Sequence, residues 1–355
     1  MKASLITNKS NIAYLSEFTG SSGFMLLVGS KSYLFTDSRY IERAKKTLPP
    51  KITLVDTTKM WKNAEELKKN WQGILKKHRI TNLGIEESNL TISQFKRYQK
   101  ISGKLKYSDI SGQIESIREV KTVKEIKLIE KSQAINEKVF LEIKKIIKNS
   151  FLTEKELAWK IKELGNQFGA EDVSFDPIVA FNENSAIPHH EPGNKKLKKG
   201  DIVLVDMGMK YQGYCSDMTR MVFTAKPTKK QAEIYNLVLK AQLAGLKAIK
   251  AGITGKKADQ ITRSIIEKAG YGDHYGHSGG HGIGLDIHET PSLAESYKGK
   301  LKENSIITVE PGIYLPGEFG VRIEDMVLVT KKGNKNLTKI SKNIYIFNEH
   351  LAQQK

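Results

Sequence analysis

Residues 201–223 read DIVLVDMGMKYQGYCSDMTRMVF. Two apolar runs flank Tyr211, Gln212 and Gly213, a pattern that predicts a β-hairpin. With the turn centred between Tyr211 and Gln212, Asp206 stands opposite Asp217, and directly opposed residues carry their Cβ atoms ~5 Å apart on one face of a sheet. Two like charges so placed oppose folding unless a cation lies between them. Tyr-Gln is a poor two-residue turn, so this register can slip around Gly213.

Residues 305–329, SIITVEPGIYLPGEFGVRIEDMVLV, pose the same problem again. Glu310 ends an apolar run just before Pro311-Gly312, and Glu324 lies inside VRIEDMVLV, where an ionised carboxylate loses its hydration. Arg322, two residues before Glu324, shares its strand face and offsets one charge but not four. Each carboxylate alone reads as a turn or edge residue. Four of them in apolar strands are better explained by bound cations.

Between these segments, residues 278–291 read SGGHGIGLDIHETP. The helical metalloprotease pattern His-Glu-x-x-His is not met, because Thr290, Pro291 and Ser292 follow His288-Glu289. Four glycines disfavour a helix, and in a regular strand the seven-residue offset puts His281 and His288 on opposite faces. A bulge at Gly282 or Gly284 would change that facing. Glycine around His281 lets backbone approach a crowded centre, so His281 is the better ligand candidate and His288 the better placed for substrate. Glu289 reads as neither ligand nor base.

The chain is 355 residues long with 39% hydrophobic content, enough for two domains with real cores. Its apolar runs fall far short of the ~20 residues that span a bilayer, and the N-terminus does not read as a secretory signal, so a cytoplasmic location and no membrane partner are expected. Cys215 is the single cysteine, which excludes a disulfide framework and a multi-cysteine zinc site; it reads as a packing residue. The net charge of +19 raises the question of nucleic acid. Lysines are spread along helices and interleaved with glutamates, as in EKSQAINEKVFLEIKKIIK, so they read as solvated faces and no nucleic-acid partner is expected.

Strands such as FMLLVG and KSYLFTD alternate with the helical patterns AEELKKNWQGILKKH and SQFKRYQKI in the first part of the chain, which predicts a small α/β domain over 1–118. A long helical pattern from Val120 opens a second domain over 119–355. There, Thr153 with Glu156 and Thr228 with Gln231 form capping boxes at two helix starts. Helix pairs alternate with hairpins, which hints at a doubled unit.

VDMGMKYQGYCSDMTR, SGGHGIGLDIHETP, TVEPGIYLPG and VRIEDMVLV, in this order, resemble the metallopeptidase family of proline dipeptidases, aminopeptidase P and methionine aminopeptidase. NIAYLSEFTGSSGFMLLVGSKSYLFTDSRY is similar to the creatinase/prolidase N-terminal domain. The resemblance implies an α+β protein: a pita-bread catalytic domain preceded by a smaller creatinase-like α/β domain. It implies a dinuclear metal site in which Asp206 binds one metal, Asp217 and Glu324 bridge both, and His281 and Glu310 complete the other. Carboxylates and one imidazole favour Mn, with Co or Zn as alternatives, and two metals activate water between them. Glu310 becomes the general base or proton shuttle, His288 a donor to substrate or oxyanion, and His189 a second histidine approaching the substrate carbonyl. His277, Arg322 and Tyr314 become the lining on the proline side.

Two departures from the family pattern stand out. PHHEPG replaces the common Pro-His-Gly, leaving the choice between His189 and His190 open, and HSGG precedes His281 where a bulkier residue is frequent. The expected activity is hydrolysis of the Xaa-Pro bond at the N-terminus of dipeptides or short peptides, by a homodimer. The rival readings are a non-catalytic peptide- or protein-binding member of the fold, which would have lost ligands, and a creatine-type amidinohydrolase, which does not require the carboxylate set.

Overall fold

The computed structural model describes residues 2–58, 64–149 and 151–344. The chain divides into two compact units, Met1–Arg118 and Glu119–Lys355. In the first, a six-stranded sheet runs in the order Ile52–Asp56, Lys31–Thr36, Phe24–Val28, Lys2–Ile6, Asn82–Ile85, Lys106–Asp109. Trp71, fully buried, packs edge-on against Phe24 and Phe35, and its indole N–H donates to Ser102 Oγ at 2.8 Å, so its one polar atom is satisfied.

The second unit holds two helix pairs, Val123–Asn149 with Glu154–Gln167 and Lys229–Ala248 with Gly255–Lys268. The expected capping boxes at Thr153 and Thr228 are present. Between the pairs lies a sheet of Met218–Phe223, Ile202–Met207 and Ile178–Phe181. Alternation sorts its side chains. Val203, Val205 and Met207 pack with Val139, Phe140 and Ile161 of the first pair, whereas Ile202, Leu204, Met221 and Phe223 pack with Ile234, Val238 and Ile266 of the second. Asp206 follows Leu204 by two, and Asp217 and Thr219 precede Met221 by even steps, so all three share the second face.

The hairpin register differs from the sequence-based expectation. Asp206 pairs with Thr219, not Asp217, and Tyr211 pairs with Tyr214. The turn is Gln212-Gly213, with φ of 47° and 81°, the positive pair that a two-residue hairpin turn needs. Moving the turn by one residue moves each pairing by two, which preserves the face. Asp206 and Asp217 are diagonal neighbours on it. The hairpin is also broken: Met209–Tyr211 and Tyr214–Cys215 leave for another sheet with Asp172–Val173. Gly208 sits at the break, where a Cβ would lie 2.0 Å from the Ser216 carbonyl oxygen.

Residues 306–329 repeat the device. Ile306–Val309 pairs with Asp325–Val329 inside a five-stranded sheet, whereas Gly312–Leu315 pairs with Phe319–Arg322 in a separate ribbon. Glu310 and Glu324 fall at this break. The chain alternation puts Glu324 on the face of Met326 and Ile306, and Asp325 on the other, where it accepts from Arg220 at 2.6 Å and Gln242 at 3.0 Å. Among the described residues no helix is long and apolar enough to cross a membrane.

Candidate metal centre

Four side chains meet where the two broken hairpins face each other, and Asp206 joins them through Arg322 and Thr219. His281 Nε2 lies 3.6 Å from Asp217 Oδ2 and 3.4 Å from Glu310 Oε1. Donor atoms of Asp217, His281 and Glu324 lie within 4.8 Å of one another. The His281 ring is set by its other nitrogen: Nδ1 is 3.0 Å from the Gly282 carbonyl, which can only accept, so Nδ1 carries the proton and Nε2 turns its lone pair toward the carboxylates. Thr308 Oγ fixes the surrounding backbone, accepting from His281 N at 3.0 Å and donating to Glu310 Oε1 at 3.2 Å.

The bulge expected of the glycines is present. Pairing shifts between His281, opposite Ser292, and Gly282, opposite Glu289. A Cβ on Gly280 or Gly282 would lie 2.1 or 2.3 Å from a carbonyl oxygen of the neighbouring strand. With this shift the His281 and His288 rings face one cleft, 4.3 Å apart edge-to-face. Glu289 turns away from them: its carboxylate accepts from buried Lys121 at 3.1 Å and from Asp286 N at 3.1 Å, closing the loop that carries His288. Nothing in the local spacing signals Lys121.

The electrostatics are those of a site built for positive charge. Burial, reinforced by Glu324, Asp206 and Glu310, pushes Asp217 well above the usual carboxylate range. Burial with Glu310 and Asp206 does the same to Glu324. Burial takes Glu310 to about 7, against the pull of Arg322. Burial also lowers the proton affinity of His281 and His288, which favours the neutral, lone-pair form.

One cation is already built in. Arg322 pairs with Asp206 Oδ2, donates to Thr219 Oγ1 at 3.1 Å and to Tyr314 Oη at 2.7 Å, and reaches the Pro188 carbonyl at 3.3 Å. Thr219 in turn donates to Glu324 Oε2 at 2.8 Å, a link the sequence reading did not anticipate. Beyond Arg322, Tyr314 Oη lies 2.9 Å from His277 Nε2, and His277 Nδ1 lies 2.8 Å from the Ser278 carbonyl. That carbonyl only accepts, so Nδ1 carries the proton and donates to it, Tyr314 donates to Nε2, and the relay runs in one direction. Burial and then Arg322 hold His277 neutral, down to about 3. His277, Tyr314 and Arg322 therefore form one fixed wall.

Arg322 leaves three carboxylate oxygens without partners. Asp206 Oδ1, Asp217 Oδ1 and Glu324 Oε1 are all buried and accept no hydrogen bond. Such orphans are costly unless something positive occupies the space between them. The donor set of four carboxylates and one neutral imidazole fits hard or borderline divalent cations.

Of the loop histidines, His189 is exposed and lies close enough to His277 and His288 to bear on their electrostatics. His190 points elsewhere: its Nε2 lies 2.9 Å from Glu154 Oε2. Cys215 is buried, its thiol pushed up to about 11 by burial, in keeping with packing.

Residues 127–331 match the model of metallopeptidase family M24, and residues 1–120 match that of the creatinase/prolidase N-terminal domain. The chain is similar to a solved Xaa-Pro dipeptidase from Bacillus anthracis, 38% identical with TM-score 0.91, covering 97% of this chain and 95% of that one. It is similar to an X-Pro aminopeptidase structure from Thermotoga maritima, 36% identical with TM-score 0.88 over 98% of both chains. A Xaa-Pro dipeptidase of Pyrococcus horikoshii is 37% identical over 96% of this chain and 94% of its own length.

Proposed function

Because this chain belongs to metallopeptidase family M24, we propose that it hydrolyses the bond between an N-terminal residue and a following proline in dipeptides or short peptides. The observation that carries the reading is the set of buried, partnerless oxygens on Asp206, Asp217 and Glu324 beside a lone pair on His281. A binding protein on this fold has no need of them. Similar proteins bear both dipeptidase and aminopeptidase names, and both sit within this proposal.

Asp206, Asp217, His281, Glu310 and Glu324 would hold two divalent cations, Mn being favoured by the oxygen-rich set. When bound, the cations supply Lewis acidity toward the scissile carbonyl and neutralise the carboxylate cluster. Glu310 takes the proton of the attacking water at its carboxylate and passes it to the departing proline nitrogen. His288, held against His281, donates to the oxygen on which negative charge develops. His189 reaches the same substrate from the opposite loop. The wall of His277, Tyr314 and Arg322 gives the proline ring a rigid surface, its polar atoms already engaged with one another.

Assays of Ala-Pro, Ala-Pro-Ala and Ala-Ala-Ala with added manganese test the substrate class. Cleavage of one or both of the first two is expected, with little of the third. Turnover of all three at equal rates would refute proline specificity, and cleavage of Ala-Pro alone would mark a dipeptidase. His288→Ala should lower kcat by about 10²–10³, the range seen when an oxyanion donor is removed, with metal content near wild type. Equal loss of metal would contradict the role given to His288.

A further inference from the structure

The exposed His189 sits in a turn that is anchored on both sides. His190 N donates to Ile187 O at 3.2 Å, which makes Ile187-Pro188-His189-His190 a β-turn with proline at its favoured second position. On one side Arg322 holds the Pro188 carbonyl. On the other, Glu154 at the first position of the helix Glu154–Gln167 holds nearly everything else. It is fully buried. Its Oε1 accepts from Phe181 N and Asn184 Nδ2, each at 2.8 Å, and its Oε2 from Gly193 N at 3.0 Å and His190 Nε2 at 2.9 Å. A carboxylate in this setting only accepts, so His190 Nε2 is the donor.

The docking is reciprocal. Glu154 N and Lys155 N, which a helix start leaves without intrahelical partners, donate to the carbonyls of Lys195 and Gly193. Gly320 N donates to Ser185 Oγ at 2.8 Å from the Arg322 strand. One buried carboxylate thus closes the segment 181–193 on itself, with His189 at its outward tip.

We propose that Glu154 and His190 form a latch that positions His189 for the substrate, with Glu154 a positioning residue that never touches substrate itself. The inference rests on the function proposed above for His189. The latch itself is a property of the turn and is measurable without substrate.

The test is a double-mutant cycle in the full-length, manganese-loaded protein. Glu154→Gln, which keeps size but turns one acceptor into a donor, should lower kcat/KM for Ala-Pro by roughly 10–100-fold, since small displacements of positioned groups cost up to about 10². In a His189→Ala background the same change should cost less than about threefold, because the loss acts through His189. Equal losses in both backgrounds would make Glu154 a general structural residue and overturn the latch. His190→Ala should resemble Glu154→Gln, whereas His190→Gln, which keeps a donor near the same place, should restore most activity; no difference between the two overturns it as well. Hydrogen exchange over residues 187–193 should rise in Glu154→Gln and in His190→Ala. Unchanged protection there refutes the latch even if wild type proves inactive on Ala-Pro, an outcome that would refute the function alone. If Glu154→Gln does not fold, the two His190 variants decide the matter.

Discussion

Asp217→Asn is expected to remove turnover while making the metal-free protein more stable. The amide keeps the size of the side chain but not its charge, so it would be a far weaker ligand for a divalent cation. Losing several kcal/mol of charge stabilisation corresponds to a fall on the order of 10²–10³ in kcat. Folding responds with the opposite sign. Burial, then Glu324, Asp206 and Glu310, hold the Asp217 carboxyl far above its ordinary range, so without cations the cluster works against the native state. Metal analysis after purification without chelator, Ala-Pro turnover, and melting curves in chelator and in manganese check the pair of effects. Manganese should raise the melting temperature of wild type by binding only the folded form, and should leave the variant nearly unmoved. A variant with wild-type metal content and turnover would remove Asp217 from the ligand set.

Arg322→Met should be the most damaging change to the metal-free chain. The guanidinium is nearly buried, its side chain 4% exposed, and engages Asp206, Thr219, Tyr314 and Pro188 together. Burial alone would weaken its hold on the proton, yet Tyr314, Asp206 and Glu310 keep it well above even the usual arginine range. Removing one partner of a buried pair leaves the other uncompensated, a loss of about 3–5 kcal/mol. Denaturant titration in chelator measures it. Stability within about 1 kcal/mol of wild type would mean that Asp206 is not relying on this cation.

The carboxylates were legible because acids inside apolar strands are conspicuous, and the two broken hairpins show why they are there. The first register was not legible. Gln212 adopts a positive φ of 47°, a conformation its identity does not announce, so the turn read one residue early and Asp206 was paired with Asp217 instead of Thr219. The face survived because the error in pairing was even. Arg322 was read from spacing as a companion of Glu324, but its direct ion-pair partner is Asp206, 116 residues away, and no local pattern encodes that. Glu154 directly follows the recognisable cap residue Thr153, but the groups it gathers lie 27–39 residues downstream. Contacts of that span depend on how elements pack, which composition and periodicity constrain only loosely.

The division of the four carboxylates between two hairpins has a consequence for the order of folding. Each hairpin brings its own two carboxylates together through contacts close in the chain. Thr219 and Glu324, which join the halves, are 105 residues apart. Loop closure on that scale is paid before its contacts reward it, so the complete donor set exists only once the slow step is over. A cation arriving then acts on the lifetime of the native protein, by slowing its unfolding, and has little leverage on how fast the chain first reaches that state.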